Sequence, residues 1–275
     1  MDFIKIVDAL IAALYFCGAA VHVGGAVAGR ARAVRAGAAL TLCGFAMHTG
    51  VLGVMLAVQW SAELTRSDFY FSLLAWSLLL IFFVLWWRLS ASFLGLVAAP
   101  LALILFVSSM ALGGGRLPLP PALSGLFFGL HIGALFTAIG LLAMACAAGA
   151  AYIAIDHKIK AKEKLSGFFK TLPPLSTFDR MNRLAVSAGF PLYTLGLLSG
   201  FIWAGFTWGK TFSWDPKEVA AIFIWLLYAF LFHQRVMLGW QGRKTAWMVI
   251  WVFGLTLASM IGINFLLPTH HSFKS

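Results

Sequence analysis

The stretch 203–235 reads WAGFTWGKTFSWDPKEVAAIFIWLLYAFLFHQR and is the most informative part of the chain. Its first twelve residues contain three tryptophans: Trp203, Trp208 and Trp214. Asp215 follows, and then comes an apolar segment that carries His233. An apolar segment of about 20 residues crosses a bilayer as a helix. The stretch therefore predicts a membrane-spanning helix preceded by an aromatic loop, which suits a large flat ligand or the layer of lipid headgroups.

The composition of the whole chain agrees with a membrane protein. Of its 275 residues, 61% are hydrophobic and only 11% are charged, whereas soluble domains carry about 25% charged residues. The net charge of +11 raises the question of nucleic-acid binding. The basic residues, however, lie in short loops between apolar segments, where they orient a protein in a bilayer. The composition thus favours an integral membrane protein over a nucleic-acid-binding one.

Eight segments are long and apolar enough to span a bilayer. They are residues 3–29, 36–60, 69–87, 91–112, 122–155, 184–206, 219–240 and 245–267. No internal repeat and no separate soluble domain is evident. We therefore predict an all-α integral membrane protein whose residues 1–275 form a single bundle of about eight transmembrane helices.

The basic residues alternate between the loops and predict the orientation of the bundle. Most of the twenty Lys and Arg residues lie near 30–35, at 88, in 156–183 and at 235–244. By the positive-inside rule these loops face the cytoplasm. Both termini, the loop 113–121 and the tryptophan-rich loop 207–218 then face outward. The segment 156–183 is predicted to be a basic cytoplasmic connector that lies on anionic headgroups.

The histidines fall on two predicted levels. His131 lies 25 residues before Asp156, which at 1.5 Å per residue places it about 37 Å away, at the outer surface. His270 and His271 follow the last span and face outward as well. His233 lies about 22 Å along its helix from Glu218, in the inner part of the membrane. Polar side chains within a bilayer are costly and suggest function.

Each of these residues also has an ordinary structural interpretation. Tryptophans at a membrane boundary often form an aromatic belt. Asp215, Pro216 and Glu218 are typical of a capped helix start with a capping box. The remaining polar and sulfur-containing residues have simple roles: His22 and His48 are expected to hydrogen-bond across helices, His157 to be solvated, and Cys17, Cys43 and Cys146 to pack in the core.

The chain resembles a known family at several motifs. WGKTFSWDPKE, followed by WLLYAFLFHQR, resembles the WWD motif of the haem-handling superfamily of cytochrome c biogenesis. GFPLYTLGLLSGFIWAG is similar to the segment before that motif, and GINFLLPTHHSFKS resembles the ending of the CcsA branch, also called ResC. The resemblance implies an eight-span protein of the bacterial cytoplasmic membrane that binds haem b. It also implies a role in a system II cytochrome c synthase, which attaches haem covalently to apocytochromes.

The resemblance further implies roles for individual residues and partners. His131 and His271 would be the two outer axial ligands of haem iron, with His271 preferred over His270 because it precedes Ser272. His233 would hold haem in transit within the membrane. The other haem-binding positions would be Trp203, Trp208, Gly209, Trp214 and Asp215. The implied partners are a ResB-like (CcsB) membrane subunit and apocytochrome c with a CxxCH segment.

Other functions remain open or are disfavoured by the residues. SAELTRSDFYFSLLAW lacks the Gly-Pro loop and the Glu that the family commonly has there, so a HemX- or YpjD-like haem-binding regulator is an alternative. GFTWGKT has three residues between its glycines where a phosphate loop needs four, which argues against a nucleotide site. A proton-coupled transporter would be expected to carry more intramembrane carboxylates.

Overall fold

The computed structural model describes residues 3–63, 66–111, 128–165 and 167–266. All the regular secondary structure among these residues is helical, which confirms the predicted all-α class. The chain divides into two compact units. Unit 1 consists of 1–117 and 158–173, and unit 2 consists of 118–157 and 174–275. That residues 1–275 function as a single domain stays a prediction.

Among the residues that the structure describes, unit 1 contains four long helices and one short one. They are α1 (Phe3–Val27), α2 (Ala31–Glu63), α3 (Ser67–Leu89), α4 (Gly95–Ala111) and α6 (Phe168–Thr171), with a 3-10 turn at Ser92–Leu94 before α4. Glycines let α1 and α2 approach closely, because a Cβ on Gly18 would collide with Thr41 and one on Gly37 with the backbone of His22. Small residues at such contacts are typical of helix pairs in membranes.

Unit 2 contains the longest helix of the described chain. Its elements are a π-helical turn (Phe128–Gly133), α5 (Ala134–Lys160, which belongs to unit 2 as far as His157), α7 (Leu175–Trp208), α8 (Pro216–Phe232), a second π-helical turn (His233–Met237) and α9 (Arg243–Leu266). The α7 helix packs against the first π-helical turn and against α8. Gly149 of α5 lies against the backbone of Ala246 in α9. The tryptophan-rich loop 207–218 lies at the end of α7 and the start of α8.

Seven helical segments of the described chain are long and apolar enough to cross a membrane. They are Ile4–Val27, Ala31–Val58, Asp68–Leu89, Ser92–Ala111, Gly129–Lys160, Leu175–Phe206 and Pro216–Met237. The protein is therefore a multi-pass membrane protein. The α9 helix covers most of the eighth predicted segment, 245–267. The eighth span and the outward orientation of both termini stay predictions.

Two details differ from the sequence-based expectations. The connector 156–183 is helical at both ends, because α5 continues to Lys160 and α7 begins at Leu175. Cys17 and Cys43 are exposed, so the prediction that they pack in the core is wrong for these two, while Cys146 is partly buried. The physical reason is that lipid tails are as apolar as a protein core. An apolar side chain on a transmembrane helix is therefore equally stable facing either one.

Candidate functional site

His131 lies in the first π-helical turn of unit 2 and is held by α7. Its Nδ1 is 2.7 Å from the carbonyl oxygen of Gly196. A carbonyl oxygen only accepts, so Nδ1–H is the donor of this bond. In a neutral imidazole the lone pair then lies on Nε2, because the hydrogen bond of one nitrogen sets the role of the other. The backbone of α7 thus orients the His131 ring and leaves Nε2 as the acceptor nitrogen of its neutral form.

Two glycines on α7 make room for this contact. A Cβ at Gly200 would lie 2.5 Å from Cε1 and 2.7 Å from Nδ1 of His131. A Cβ at Gly196 would lie 2.5 Å from Cγ of Leu135, in the first turn of α5. Real Cβ contacts are essentially never this short, so a larger residue at Gly200 would shift the His131 ring, and one at Gly196 would shift Leu135. The Gly-x-x-x-Gly spacing at 196–200 is typical of close helix contacts in membranes.

Trp203 continues the same face of α7. Residues 196, 200 and 203 follow the i, i+4, i+7 spacing that places side chains on one face of a helix. The Trp203 side chain is buried, with 7% of its surface exposed. Five residues after Trp203, the helix ends at Trp208, and Gly209 adopts the left-handed conformation with φ of 70°. Gly209 donates its backbone N–H to Gly205, which closes the helix in a common C-terminal cap.

The loop between α7 and α8 presents Trp214 in an unusual conformation. Its φ is +60°, a region that costs a non-glycine residue about 1–3 kcal/mol and that persists only where the surroundings enforce it. The side chain is 78% exposed. Its ring packs edge-on against Phe212, with the centroids 5.0 Å apart. The fold therefore holds a strained backbone at the position where it displays the largest apolar side chain of the loop.

The start of α8 is fixed by two carboxylates. Asp215 is the N-cap: its Oδ1 accepts a 2.8 Å hydrogen bond from the backbone N–H of Lys217, and Pro216 occupies the first helical position. This confirms the predicted cap. In the predicted capping box, Glu218 would accept from the backbone N–H of Asp215. Its carboxylate instead accepts from Ser213, two residues earlier, from the backbone N–H at 2.7 Å and from the hydroxyl at 3.0 Å. These two carboxylates lock both residues that flank Trp214.

His233 lies at the other end of α8, where the helix changes to π-helical geometry, and its side chain is exposed. Two residues on, the guanidinium of the buried Arg235 donates to the Asp179 carboxylate at 2.6 Å and to the carbonyl of Trp240. The other carboxylate oxygen of Asp179 accepts from the backbone N–H of Gly242 at 2.7 Å. Breaking one partner of a buried ion pair of this kind costs about 3–5 kcal/mol. The ion pair therefore anchors the turn that carries His233.

The structure joins some of the predicted site residues and separates others. The His131 ring contacts the face of α7 that also carries Trp203. Trp214 and Asp215 are adjacent in the loop. His233 lies about 22 Å along α8 from Glu218, at 1.5 Å per residue. His270, His271 and the Trp208 side chain lie outside the described part of the chain.

Sequence reasoning missed several residues that shape the site. They are Gly196, Gly200, Phe212 and Ser213. The hydrogen bonds that Glu218 accepts from Ser213 were missed as well. The Gly-x-x-x-Gly spacing could have indicated the contact of α7 with the His131 turn. The left-handed conformation of Trp214 has no sequence signal, because non-glycine residues rarely adopt it.

Comparison with known proteins identifies related sequences. The model of the cytochrome C assembly protein family matches residues 67–271. The chain is 28% identical over 242 residues to the cytochrome c biogenesis protein CcsA of Guillardia theta, covering 80% of each chain. It is 29% identical over 267 residues to CcsA of Chlorella vulgaris, covering 84% of this chain and 85% of that protein. It is also 41% identical over 97 residues to CcsA of Thermosynechococcus vestitus, covering 35% and 30%.

Proposed function

The chain belongs to the cytochrome c assembly protein family, and we propose that it is the haem-delivering membrane subunit of a system II cytochrome c synthase. In this proposal it presents haem b at an outer site for thioether attachment to CxxCH apocytochromes. Its location would be the cytoplasmic membrane of a bacterium. The observation that carries the proposal is the hydrogen bond from His131 Nδ1 to the Gly196 carbonyl, because it prepares the ring for iron.

The donor set of the described site fits haem. A neutral imidazole with Nδ1–H bound to a backbone carbonyl is the usual arrangement of an iron- or zinc-ligating histidine. Such a bond orients the ring and raises the basicity of Nε2. In the proposal, His131 supplies one axial ligand and His271 the other. Haem, as the substrate delivered, supplies vinyl groups that react with the cysteine thiols.

The work of this chain is then to position haem and to exclude wrong orientations. The exposed indole of Trp214 offers flat apolar area for a porphyrin face, while its N–H remains available to water or to a propionate. Trp208 and Gly209 would complete the contact surface at the end of α7, and the buried side chain of Trp203 would support it. Asp215 acts through its cap, which fixes where Trp214 lies. The thioether chemistry itself is supplied largely by haem.

His233 would serve an earlier step. Its exposed side chain at the end of α8 suits a ligand that is shared with another chain. We expect the second histidine at this level to come from a ResB-like (CcsB) subunit. Arg235 and Asp179 would keep the turn in place while haem passes.

Reconstitution in a host without its own cytochrome c maturation machinery tests this proposal. The chain is expressed with its ResB-like partner and a CxxCH reporter, and covalent haem is detected on the reporter by staining a denaturing gel. Staining that disappears with His131→Ala or His271→Ala supports the synthase role and the outer ligand pair. Haem on the purified chain without any labelled reporter favours the HemX-like regulator. A well-folded chain that never carries haem overturns both.

A further inference from the structure

Unit 1 contains a pocket that the proposed haem site does not use. Its volume is about 330 Å³. It lies between the end of α1, the start of α2, the turn before α4 and the connector that carries α6. The wall consists of aromatic rings and small residues, with one cation. The lining residues that matter for its chemistry are His22, Gly29, Arg35, Trp86, Phe93 and Phe168.

The charge of the pocket is positive. Arg35 lies in the second turn of α2, is exposed, and forms no ion pair with any residue that the structure describes. None of the described lining residues is acidic. The connector beside the pocket is rich in lysine, and Lys158 already pairs with Glu163 at 2.7 Å. The cation of the pocket is therefore available to an anionic ligand.

The remaining wall is apolar and limits the size of that ligand. Trp86, Phe93 and Phe168 supply ring surface, and Gly29 leaves one side open. Since a water molecule occupies about 30 Å³, the pocket has room for roughly ten non-hydrogen atoms. A phosphate with a small polyol fits this volume, and the apolar rings suit the first carbons of attached acyl chains. Basic pockets between transmembrane helices are known to bind anionic lipid headgroups.

His22 gives the pocket a hydrogen-bond acceptor. Its Nε2 lies 3.1 Å from the carbonyl oxygen of Ser92, so Nε2–H is the donor. The neutral ring then carries its lone pair on Nδ1. Gly95 makes room for this ring, because a Cβ there would lie 2.5 Å from Cε1 and 2.7 Å from Nε2 of His22. The nitrogen that usually ligates haem iron is thus engaged with the backbone, and the ring is suited to accept a hydroxyl.

From this arrangement we propose that the unit 1 pocket binds the headgroup of an anionic phospholipid of the phosphatidylglycerol class. The phosphate pairs with Arg35, a glycerol hydroxyl donates to His22, and the aromatic rings cover the acyl ends of the headgroup. The occupant is a lipid rather than a free anion because the walls are apolar and the pocket opens among membrane-spanning helices. Its binding is independent of the haem site in unit 2.

Native mass spectrometry of the full chain in mild detergent tests the proposal. Dioleoyl phosphatidylglycerol and dioleoyl phosphatidylcholine are added separately, and the retained lipid is counted for the unsubstituted chain, Arg35→Ala and Arg32→Ala. Arg32 is the matched control, because it is an exposed arginine in the same helix but does not line the pocket. A charge-assisted hydrogen bond is stronger than one between neutral groups. We therefore expect Arg35→Ala to bind phosphatidylglycerol at least about tenfold more weakly than the unsubstituted chain, and Arg32→Ala to bind it as tightly. All three chains should retain phosphatidylcholine poorly.

Three outcomes would overturn it. If Arg32→Ala and Arg35→Ala lose equal amounts of bound phosphatidylglycerol, the lipid is attracted to a basic surface and is not bound in the pocket. Displacement of phosphatidylglycerol by millimolar inorganic phosphate would mean a site for free anions. Retention of haem instead of lipid, seen as Soret absorbance that falls with Arg35→Ala, would make the pocket a haem site. Arg35 is exposed, so both arginine variants are expected to fold, and thermal melting of each variant verifies this.

Discussion

His48 in unit 1 and His131 in unit 2 both lie on segments that are long and apolar enough to cross a membrane, but their hydrogen bonds differ. His48 is fully buried, and both of its ring nitrogens face side-chain hydroxyls: Tyr15 at 3.0 Å from Nδ1 and Ser72 at 2.7 Å from Nε2. His131 is partly exposed, and a backbone carbonyl fixes its Nδ1 as the donor. The first ring ties three helices together, whereas the second is oriented by the backbone of one helix.

The difference shows that an intramembrane histidine has to be judged by its partners. Hydroxyls can donate or accept, so the His48 ring is satisfied in either neutral tautomer. A carbonyl leaves His131 a single neutral tautomer. Polar side chains on apolar segments mark both residues as unusual, and the proposal that His131 ligates haem depends on the second arrangement. The predictions below test that distinction.

The largest expected effect belongs to His131→Ala. Loss of a partner that merely orients a metal ligand costs 10–100-fold, so loss of the ligand itself should lower covalent haem on the CxxCH reporter by at least about 100-fold. His48→Ala is the matched control, and it should lower the amount of folded chain while leaving haem per folded chain unchanged. Haem staining of the reporter, normalised to the chain on the same membranes, measures both. Equal loss of normalised staining in the two variants would contradict the distinction.

Gly200→Ala should have the next largest effect. The added Cβ would lie 2.5 Å from Cε1 of His131, so the ring must move away from the Gly196 carbonyl. We expect about a 10–100-fold loss of haem attachment, the range for second-shell changes. Gly254→Ala on α9 is the control, because nothing lies within 4 Å of a Cβ there. Unchanged attachment in Gly200→Ala would mean that this close contact does not position the ligand.

Tyr15→Phe should affect stability alone. It removes the hydroxyl that faces Nδ1 of His48. Hydrogen bonds between membrane helices contribute about 0.6 kcal/mol on average and up to about 1.7 kcal/mol. We expect a loss of that size in the free energy of unfolding, measured by denaturant titration in detergent, and unchanged haem per folded chain. Selective loss of haem from a chain of normal stability would give the His48 network a role in haem handling.

Trp214→Gly should have opposite effects on stability and on haem retention. Glycine tolerates the φ of +60°, so removing the strain should raise the free energy of unfolding by about 1 kcal/mol. Loss of the indole should weaken haem retention. Trp214→Phe separates the two effects, because it keeps the backbone strain and most of the ring surface. A gain in stability without weaker haem retention would mean that the exposed indole does not contact haem.

Much of the fold could be predicted from local patterns. Bilayer-length apolar segments indicated the helical membrane class, and the order Asp215, Pro216 indicated the start of α8. These features depend on residues that are close in the chain, where spacing translates directly into structure. The hydrogen bonds of His22 and His48 across helices were also predicted and are confirmed. His157 is exposed, as expected.

Features that depend on distant residues could not be predicted in the same way. The contact of His131 with Gly196 joins residues 65 positions apart, and the Arg235–Asp179 pair joins residues 56 apart. No local pattern specifies which helix faces which. The exposure of Cys17 and Cys43 was missed for a related reason: in a bilayer, hydropathy does not distinguish the side of a helix that faces lipid from the side that faces protein.

The most direct test of the central claim is chemical rescue of His131. The chain carrying His131→Gly is purified with its ResB-like partner, and the absorbance and electron paramagnetic resonance spectra of its haem are recorded with and without added imidazole. If His131 is an axial ligand through Nε2, the variant should lose the low-spin signature and regain it with imidazole, which can occupy the vacated position. A low-spin spectrum that is the same in the variant as in the unsubstituted chain, with no response to imidazole, would contradict the account.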